Sequence, residues 1–357
     1  MSVVPAASPF PGDGGEPVTV RGLTREDRVR WDRFVERCPQ ATFCHLSGWQ
    51  EVVERAFGHR THYLYAESAG AVCGVLPLVE VKSLLFGHSL ISAPFCVYGG
   101  IAAESEAGRK ELDSAARQLA DRLGVDYLEF RNRDRRDTDL PGKDLYVTFR
   151  KELDPDPEAN LKAVPRKQRA MIRKGIKAGL DSQIDDDVDR LYAAYAESVR
   201  NLGTPVFPKR YFRILREVFG DKSEVLTVTR NGALVSSVLS FYFRDEVLPY
   251  YGGGVWQARE VKGNDFMYWE LMRRSCERGV RVFDYGRSKV GTGSYSFKKN
   301  WGFEPQPLHY QYYLVRSSGI PDVSPKNPKY RLLIATWKRL PLPVANLLGP
   351  AIAKSVG

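Results

Sequence analysis

The chain has 357 residues, 43% of them hydrophobic and 27% charged, which fits a folded globular protein and excludes a fibrous or wholly disordered one. The length predicts two domains, and the formal net charge of +10 favours anionic partners such as phosphates, nucleic acid or an acidic membrane surface. The five scattered cysteines form no CxxC pair, so we expect neither a disulfide framework nor a structural zinc site, and a cytoplasmic location.

The first half of the sequence predicts a disordered lead-in followed by an α/β module. Residues 1–22 are rich in proline and glycine and lack the pattern of a signal peptide. Apolar spacing then predicts two helices, a hairpin, a buried strand, a long helix and a last strand. In chain order these elements cover residues 27–38, 49–57, 62–66, 72–79, 94–102, 112–123 and 125–130.

The second half repeats this order of elements. Its predicted helices and strands cover residues 188–202, 211–219, 225–229, 234–243, 247–251, 265–278 and 280–285. Five landmarks recur at nearly constant spacing, among them Gly58 with Gly220, Gly70 with Gly232, and Gly124 with Gly279. Ordered landmarks in matching elements indicate a duplication.

Each copy is predicted to contain a βαβ unit. A helix that joins two parallel strands leaves a cleft beyond the strand ends, and the helix N-terminus favours an anionic group there. The predicted fold class is therefore α/β (α+β), with two tandem domains that each have a mixed central sheet flanked by helices.

Three sequence stretches resemble one known family. They are residues 165–179 (PRKQRAMIRKGIKAG), 283–289 (FDYGRSK) and 293–305 (GSYSFKKNWGFEP). They are similar to the FemAB-like branch of the N-acetyltransferase (GNAT) superfamily, and most closely to its PEP-CTERM/exosortase-associated group, which occurs with exopolysaccharide gene sets. The resemblance implies tandem GNAT-like domains. It also implies transfer of an acyl or aminoacyl group to an amine or hydroxyl of a cell-envelope or exopolysaccharide precursor.

The resemblance places the candidate catalytic residues in the second copy. Phe297 and Lys298 match the Phe-Lys motif of the Fem transferases, whose lysine acts at the donor end of the site, although the adjacent Lys299 offers a solvated alternative. A lysine can bind a donor phosphate or stabilise negative charge on the attacked carbonyl. Asp284 has two interpretations, activation of the acceptor or a structural brace with Arg287. Tyr295 either donates a proton, positions a carbonyl or is only a core aromatic. Arg287 and Phe297 are predicted to bind substrate, Arg287 by positioning an anionic group.

A basic helix is predicted between the two copies. Pro165 begins it and Gly179 ends it, and no acidic residue occurs from residue 159 to residue 180. Its basic residues are Lys162, Arg166, Lys167, Arg169, Arg173, Lys174 and Lys177. We predict that Arg166, Lys167, Arg169 and Arg173 bind a phosphate-bearing substrate such as tRNA, a nucleotide-sugar or a lipid pyrophosphate. A merely solvated helix is the alternative.

The sequence leaves the donor open between aminoacyl-tRNA and acyl-CoA, and it predicts no firm cofactor and no metal. Acyl-CoA-dependent members of the superfamily carry a glycine-rich loop before the central helix. The corresponding segment here, residues 257–264, has one glycine and misses that register. His59 and His62 have no carboxylate or cysteine cluster nearby in sequence to complete a metal site.

The predicted domain boundaries are 23–157 for the first domain, 158–181 for the linking helix, 182–317 for the second domain and 318–357 for the tail. Residues 325–357 combine lysines and arginines with leucines and one tryptophan. They either pack onto the body or contact the inner face of the cytoplasmic membrane peripherally. Exosortase-system proteins are partners that the resemblance implies. Two functions compete with transfer, namely a non-catalytic scaffold for a polysaccharide intermediate or partner enzyme, and RNA binding by the basic helix.

Overall fold

Two mixed β-sheets organise the chain, one in each of two units. The structure is a computed structural model that describes residues 17–83, 86–136, 138–320 and 328–355. Unit 1 contains Met1–Glu54, Gly58–Gly142 and His309–Ile320, and unit 2 contains Arg55–Phe57, Lys143–Leu308 and Pro321–Gly357. Each sheet has eight strands.

Unit 1 begins with a short strand and two helices and returns to its sheet at the end of the fold. Its elements are β1 (Thr19–Gly22), α1 (Arg28–Arg37), α2 (Gly48–Phe57), β2 (Arg60–Ser68), β3 (Ala71–Ser83), β4 (Gly87–Ser92), β5 (Ala102–Ala103), α3 (Glu106–Leu123), β6 (Tyr127–Asn132) and β7 (Gly142–Lys143), which spans the unit boundary. A late strand, His309–Leu314, lies beside β6, and the strand order is β1-β2-β3-β4-β6, this strand, then β7.

Unit 2 contains the rest of the chain. Its elements are β8 (Tyr146–Glu152), α4 (Pro157–Ala163), α5 (Arg166–Lys177), β9 (Leu180–Asp185), α6 (Asp189–Leu202), α7 (Lys209–Phe219), β10 (Ser223–Arg230), β11 (Ala233–Phe243), β12 (Glu246–Gly254), α8 (Ala258–Val261), α9 (Gly263–Glu277), β13 (Val282–Asp284), β14 (Ser288–Lys289), α10 (Gly293–Asn300), β15 (Pro305–Pro307), α11 (Pro328–Trp337) and α12 (Leu342–Ala353). The late strand of unit 1, β16 (His309–Leu314), lies between β15 and α11 in the chain. The strand order is β14-β8-β13-β12-β11-β10-β9, and β15 also pairs with β8.

The duplication predicted from the sequence is confirmed by the matching order of elements. A strand, two helices, a hairpin, a strand, a helix and a parallel strand occur first from β1 to β6 and again from β9 to β13. In each unit the central helix joins parallel strands, β4 with β6 and β12 with β13. The hairpin glycines Gly70 and Gly232 have φ angles of 75° and 79°, a region that favours glycine.

The central helix of unit 1 shows why these residues fold locally as they do. Ser105 caps the start of α3 by accepting a hydrogen bond from the Gly108 backbone N–H at 3.0 Å. Leu112, Ala116 and Ala120 recur every fourth residue and are fully buried. Gly124 then ends the helix in the left-handed conformation, with a φ of 57°.

The predicted domain boundaries differ from the units in the structure. Strand β8 follows the first copy in sequence but pairs with β13 of the second, and β16 follows the second copy but pairs with β6 of the first. Helices α4 and α5 lie in unit 2, together with β8.

Two local predictions were wrong. Thr19–Gly22 forms β1 against β2, so the lead-in does not extend to residue 22, and its residues 1–16 lie outside the described part of the chain. The strand predicted at residues 94–102 lies earlier in the chain, because β4 covers Gly87–Ser92 and the chain turns after it. Ala93 and Phe95 have φ angles of 44° and 68°, which no strand accommodates.

Candidate functional site

Lys298 lies on the inner side of α10, near the end of this short helix. The Thr292 hydroxyl caps the helix by accepting a hydrogen bond from the Tyr295 backbone N–H at 3.4 Å. Lys298 is 9% exposed and therefore buried, whereas Lys299 is exposed. The helical rotation of about 100° per residue thus places only the first of the two lysines inside the unit.

The Lys298 amino group is held by backbone oxygens. Nζ donates hydrogen bonds to the Gly286 carbonyl at 2.9 Å and to the Arg287 carbonyl at 3.0 Å. It also lies 5.6 Å from the Phe149 ring centroid and 6.0 Å from that of Tyr285. These contacts fix the amino group between α10 and the segment that follows β13.

The pKa of the Lys298 ammonium is lowered to about 7, because burial disfavours its charged form. The negative charge of Asp284 acts in the opposite direction, and the positive charge of Arg287 adds to the lowering. An amino group with a pKa near 7 changes its charge close to neutral pH. This property is typical of groups that take part in catalysis, although structural networks also produce it.

Asp284 is a buried carboxylate at the end of β13, with a side chain 0% exposed. It accepts hydrogen bonds from the Gly286 backbone N–H at 2.8 Å and the Thr148 hydroxyl at 3.3 Å. The Arg150 guanidinium lies 3.9 Å from its Oδ2 atom. Thr148 and Arg150 of β8 thus brace the carboxylate, and the geometry favours a role in positioning the Gly286 turn.

Thr148 and Arg150 were not identified from the sequence. They lie on β8, which the predicted boundaries assigned to the first domain, whereas the structure pairs Arg150 directly with Asp284 in the β8–β13 register. Arg150 also forms an ion pair with Glu246 of β12. No local motif marks these residues, because their partner is 134 or more positions away in the chain.

Arg287, Tyr295 and Phe297 surround the buried lysine but make different contacts. The Arg287 guanidinium lies over the Tyr146 ring, 4.7 Å from its centroid. Tyr295 packs edge-on against Phe149 with the centroids 5.5 Å apart.

Phe297 contacts Tyr268, Tyr285 and Trp301 in the aromatic core. Phe297 is therefore a packing residue of the core in this structure. The Tyr285 hydroxyl in this core is buried and finds no hydrogen-bond partner in the described part of the chain.

Helix α5 is the predicted basic helix, and its two faces differ. Gln168, Ile172 and Gly175 are buried, and the Gln168 side chain donates a hydrogen bond to Asp265 of α9. A Cβ atom on Gly175 would lie 2.8 Å from the Cβ atom of Phe266, so glycine permits the close approach of the two helices.

The outer face of α5 is strongly cationic. Arg166, Lys167, Arg173, Lys174 and Lys177 are exposed and Arg169 is half-buried. Within the described part of the chain, none of the six forms an ion pair with a carboxylate. A shallow depression of about 400 Å³ runs along Arg166, Arg169, Arg173, Lys174 and Lys177.

The segment that corresponds to the glycine-rich loop of acyl-CoA-dependent enzymes folds differently from an open amide cradle. It contains the short helix α8, and Lys262 before α9 has a φ angle of 61°. A Cβ atom on Gly263 would lie 2.3 Å from Val235, and one on Gly254 would lie 2.6 Å from the Asn264 side chain. These glycines therefore serve close packing within unit 2.

Unit 1 contains a cavity of about 550 Å³ beyond β6 and beside the start of α3. It is lined by Gln40, Thr42, His45, Tyr98, Gly99, Gly100, Ile101, Glu106, Arg109, Arg131, Asn132, Arg133, Asp134, Arg135 and Arg136. Five arginines face two carboxylates in this lining, which favours an anionic ligand.

Two buried groups of the cavity show how it is built. Arg131 is 2% exposed and pairs with Glu129 at 2.7 Å while donating to the Cys96 carbonyl at 2.9 Å. Asn132 donates to Gln311 at 2.8 Å, but its Oδ1 atom is buried and has no hydrogen-bond partner among the residues that the structure describes. Burial lowers the pKa of His45 to about 4, so this residue is neutral at pH 7.

Among the described residues, no group of three or more histidine, cysteine or acidic side chains is placed so that it could hold a metal ion. His62 lies 3.3 Å from Glu80 and His88 lies 2.8 Å from the same carboxylate. These contacts are ion-pair and hydrogen-bond geometry between strands β2, β3 and β4.

Part of the chain is similar in sequence to a known protein family. Residues 166–299 match the family described as acetyltransferase (GNAT) domain. No curated protein sequence matches the chain significantly.

Among solved structures, FemX is similar with a TM-score of 0.66 at 14% identity, covering 88% of this chain and 100% of its own. A tandem GNAT protein from the clavulanic acid biosynthesis pathway has a TM-score of 0.53 at 14% identity, covering 86% and 100%. The C-terminal domain of a putative lysylphosphatidylglycerol synthetase from Agrobacterium fabrum has a TM-score of 0.54 at 14% identity, covering 80% and 91%. Together with the repeated order of elements, these findings show that the chain has the tandem GNAT fold, in which residues 166–299 are the part similar to the acetyltransferase (GNAT) domain family.

Proposed function

We propose that this protein transfers an acyl or aminoacyl group to an amine or hydroxyl of a cell-envelope or exopolysaccharide precursor. The observation that carries the proposal is the buried Lys298 amino group, which donates hydrogen bonds of 2.9 and 3.0 Å to two backbone carbonyls. Burial lowers the pKa of this group to about 7. It lies in the domain that matches the acetyltransferase (GNAT) family. The sequence resemblance to FemAB-like proteins supports the kind of acceptor.

In the proposed reaction the acceptor nitrogen or oxygen attacks the donor carbonyl carbon. A new bond forms to that carbon, and the bond to the leaving group breaks with its electron pair. The attacking group loses one proton and the leaving oxygen or sulfur gains one. Protonated Lys298 would stabilise the negative charge that develops on the carbonyl oxygen, and Asp284 would keep the Gly286 turn that holds the lysine in place.

Aminoacyl-tRNA is the donor that the described residues support better. The exposed basic face of α5 suits a phosphate backbone, because none of its six basic side chains is neutralised by a carboxylate in the part of the chain that the structure describes. Segment 257–264 also lacks the glycine register that acyl-CoA-dependent enzymes use. Incubation with radiolabelled aminoacyl-tRNA or radiolabelled acetyl-CoA, each with an extract of envelope precursors, distinguishes the two donors.

The arginine-rich cavity of unit 1 is the proposed acceptor site. Its five arginines and its buried Asn132 Oδ1 atom suit a ligand that carries phosphate or carboxylate groups together with a hydrogen-bond donor. Precursors of envelope polymers that are linked to a pyrophosphate have this chemistry. Arg109→Ala would then raise KM for the acceptor more than it lowers kcat.

Replacing Lys298 by methionine tests the proposed chemistry. The change keeps the length of the side chain and removes the amino group, so we expect transfer to fall about 100-fold, the usual effect of losing one group that stabilises an oxyanion. Lys299→Met is the matched control because Lys299 is exposed, and we expect it to keep activity within about twofold. Full activity of Lys298→Met would exclude the lysine from catalysis.

RNA binding without transfer is the second candidate function, and the unpaired basic face of α5 favours it. Retention of tRNA with no transfer from either donor would support that function and contradict the transferase. Absence of both tRNA binding and transfer would instead favour a non-catalytic scaffold.

A further inference from the structure

The last two helices of unit 2 present large apolar side chains to solvent. Leu332 and Leu333 of α11 are 75% and 62% exposed, and Leu347 and Leu348 of α12 are 79% and 47% exposed. Most leucines elsewhere in the described chain are buried or partly buried. We call these four residues the C-terminal leucine surface.

Both helices pack onto the rest of unit 2 through other positions, so these leucines are not the residues that attach them. Ala345, Gly349 and Ala353 recur every fourth residue on the buried face of α12, which contacts α6. A Cβ atom on Gly349 would lie 2.9 Å from the Val206 backbone nitrogen, so the approach is close. At 100° per residue, Leu347 lies on the opposite face of the helix.

Helix α11 docks in the same manner. Ile334 covers the end of α6, where a Cβ atom on Gly203 would lie 2.6 Å from the Ile334 Cγ2 atom. The Arg200 guanidinium also donates a hydrogen bond to the Lys338 carbonyl at 3.4 Å. The helices are therefore attached to unit 2 while Leu332 and Leu333 remain outside.

The charge of this region has a single sign. Between residues 328 and 355 the sequence has five basic residues, Lys329, Arg331, Lys338, Arg339 and Lys354, and no aspartate or glutamate. Lys338 and Arg339 are exposed at the junction between α11 and α12. Exposed leucines in the same pair of helices as the exposed Lys338 and Arg339 complement a surface that is both apolar and negative.

We propose that the C-terminal leucine surface binds anionic lipid bilayers, with the leucines in the acyl-chain boundary and Lys338 and Arg339 among the headgroups. The helices would lie in the interface and not cross it, because α12 is only about 18 Å long and the hydrocarbon core about 30 Å thick. No helix in the described ranges is long and apolar enough to cross a membrane. This inference concerns where the protein acts and does not depend on the proposed reaction.

Sedimentation of the full chain with lipid vesicles tests the proposal. We expect binding to vesicles of phosphatidylcholine with about one third phosphatidylglycerol, and about tenfold weaker binding to phosphatidylcholine alone. Leu347→Ser with Leu348→Ser should weaken binding about tenfold or more, because two apolar anchors are lost. Lys338→Glu with Arg339→Glu should weaken binding to the anionic vesicles and leave binding to phosphatidylcholine nearly unchanged.

Val29→Ser is the matched control, since Val29 is 67% exposed on α1 of unit 1, and it should bind vesicles like the native chain. If the double serine variant on α12 fails to fold by circular dichroism, Leu332→Ser with Leu333→Ser provides the same test on α11. Absence of vesicle binding, or equal binding by a folded leucine variant, overturns the proposal. A leucine variant that turns a dimer into a monomer without any vesicle binding would overturn it in favour of self-association.

Discussion

Lys298 and Lys299 are neighbours with the same side chain, and only their environments separate them. The first donates two hydrogen bonds to backbone carbonyls inside unit 2, and the second is exposed. Sequence reasoning could state that one lysine points inward but relied on the family resemblance to choose between them. The burial of Lys298 agrees with that choice, while the catalytic role itself remains a prediction.

The lowered pKa of Lys298 predicts how its charge affects stability. Between about pH 7 and its ordinary value of 10.5, the unfolded chain holds a proton on this amino group that the folded chain does not. The contribution of Lys298 to the free energy of unfolding therefore rises with pH across this range. Below about pH 7, the destabilisation from burying its charged ammonium is fully present. Lys298→Met removes the titration, so the variant should gain most in stability relative to the native chain at about pH 6 and least near pH 10.

Urea unfolding at both pH values measures this difference, with Lys299→Met as the control. We expect the stability of the control to follow the native pH dependence. Native and Lys298→Met curves that stay parallel from about pH 6 to pH 10 would contradict a lowered pKa.

The partners of the Asp284 carboxylate could not be predicted from single residues. The sequence offered a brace with Arg287 or activation of the acceptor, and the structure surrounds the carboxylate with Thr148, Arg150 and the Gly286 N–H. Two of these partners lie on β8, far away in the chain. A buried ion pair of this kind is set by strand pairing, which no local pattern reports.

At the scale of elements, α5 joins a buried apolar and amide face to an exposed basic one. The segment and its charge were predictable from Pro165, Gly179 and the absence of acidic residues. Its packing against α9 through Gly175 was not predicted, because it depends on the distance between the two helices. The role of the basic residues in binding a phosphate-bearing substrate stays a prediction.

The salt dependence of RNA binding tests this role of α5. Arg166→Gln, Arg169→Gln and Arg173→Gln together should weaken tRNA binding about tenfold at moderate salt. They should also reduce the slope of log K against log salt by about 2, because binding with fewer phosphate contacts releases fewer counterions. Fluorescence anisotropy at several salt concentrations measures both values. Arg230→Gln, an exposed change at the β10–β11 turn, should leave the slope unchanged, and an equal slope in the triple variant would exclude phosphate contacts by α5.

At the scale of the whole molecule, each repeat completes its sheet with a strand that follows the other repeat in sequence. Strand β8 lies beside β13, and β16 lies beside β6 with six residue pairs from His309 to Leu314. Tyr310 and Tyr312 of β16 are 1% and 3% exposed. The last strand of unit 1 is therefore supplied only after the chain has passed through unit 2.

Truncation at residue 308 tests the contribution of β16. Without this strand, the backbone groups of β6 lose their antiparallel partner and the two tyrosines leave the core, so we expect hydrogen exchange of the β6 amides to accelerate at least about tenfold. A chain that ends at residue 320 keeps β16 and lacks the two C-terminal helices, which makes it the matched control. Equal protection of β6 in both chains would show that β16 does not stabilise unit 1.

The sequence by itself determined the composition of the modules, because helix and strand periods, glycine stops and the repeated landmarks are local signals. These were enough for the tandem α/β fold, the basic helix α5 and the segment that contains Lys298. The tertiary structure alone decided which strand completes each sheet, which lysine is buried, and that β8 supplies Thr148 and Arg150 to Asp284. The physical reason is that strand pairing and burial depend on contacts between residues far apart in the chain, which leave no periodic trace in the sequence.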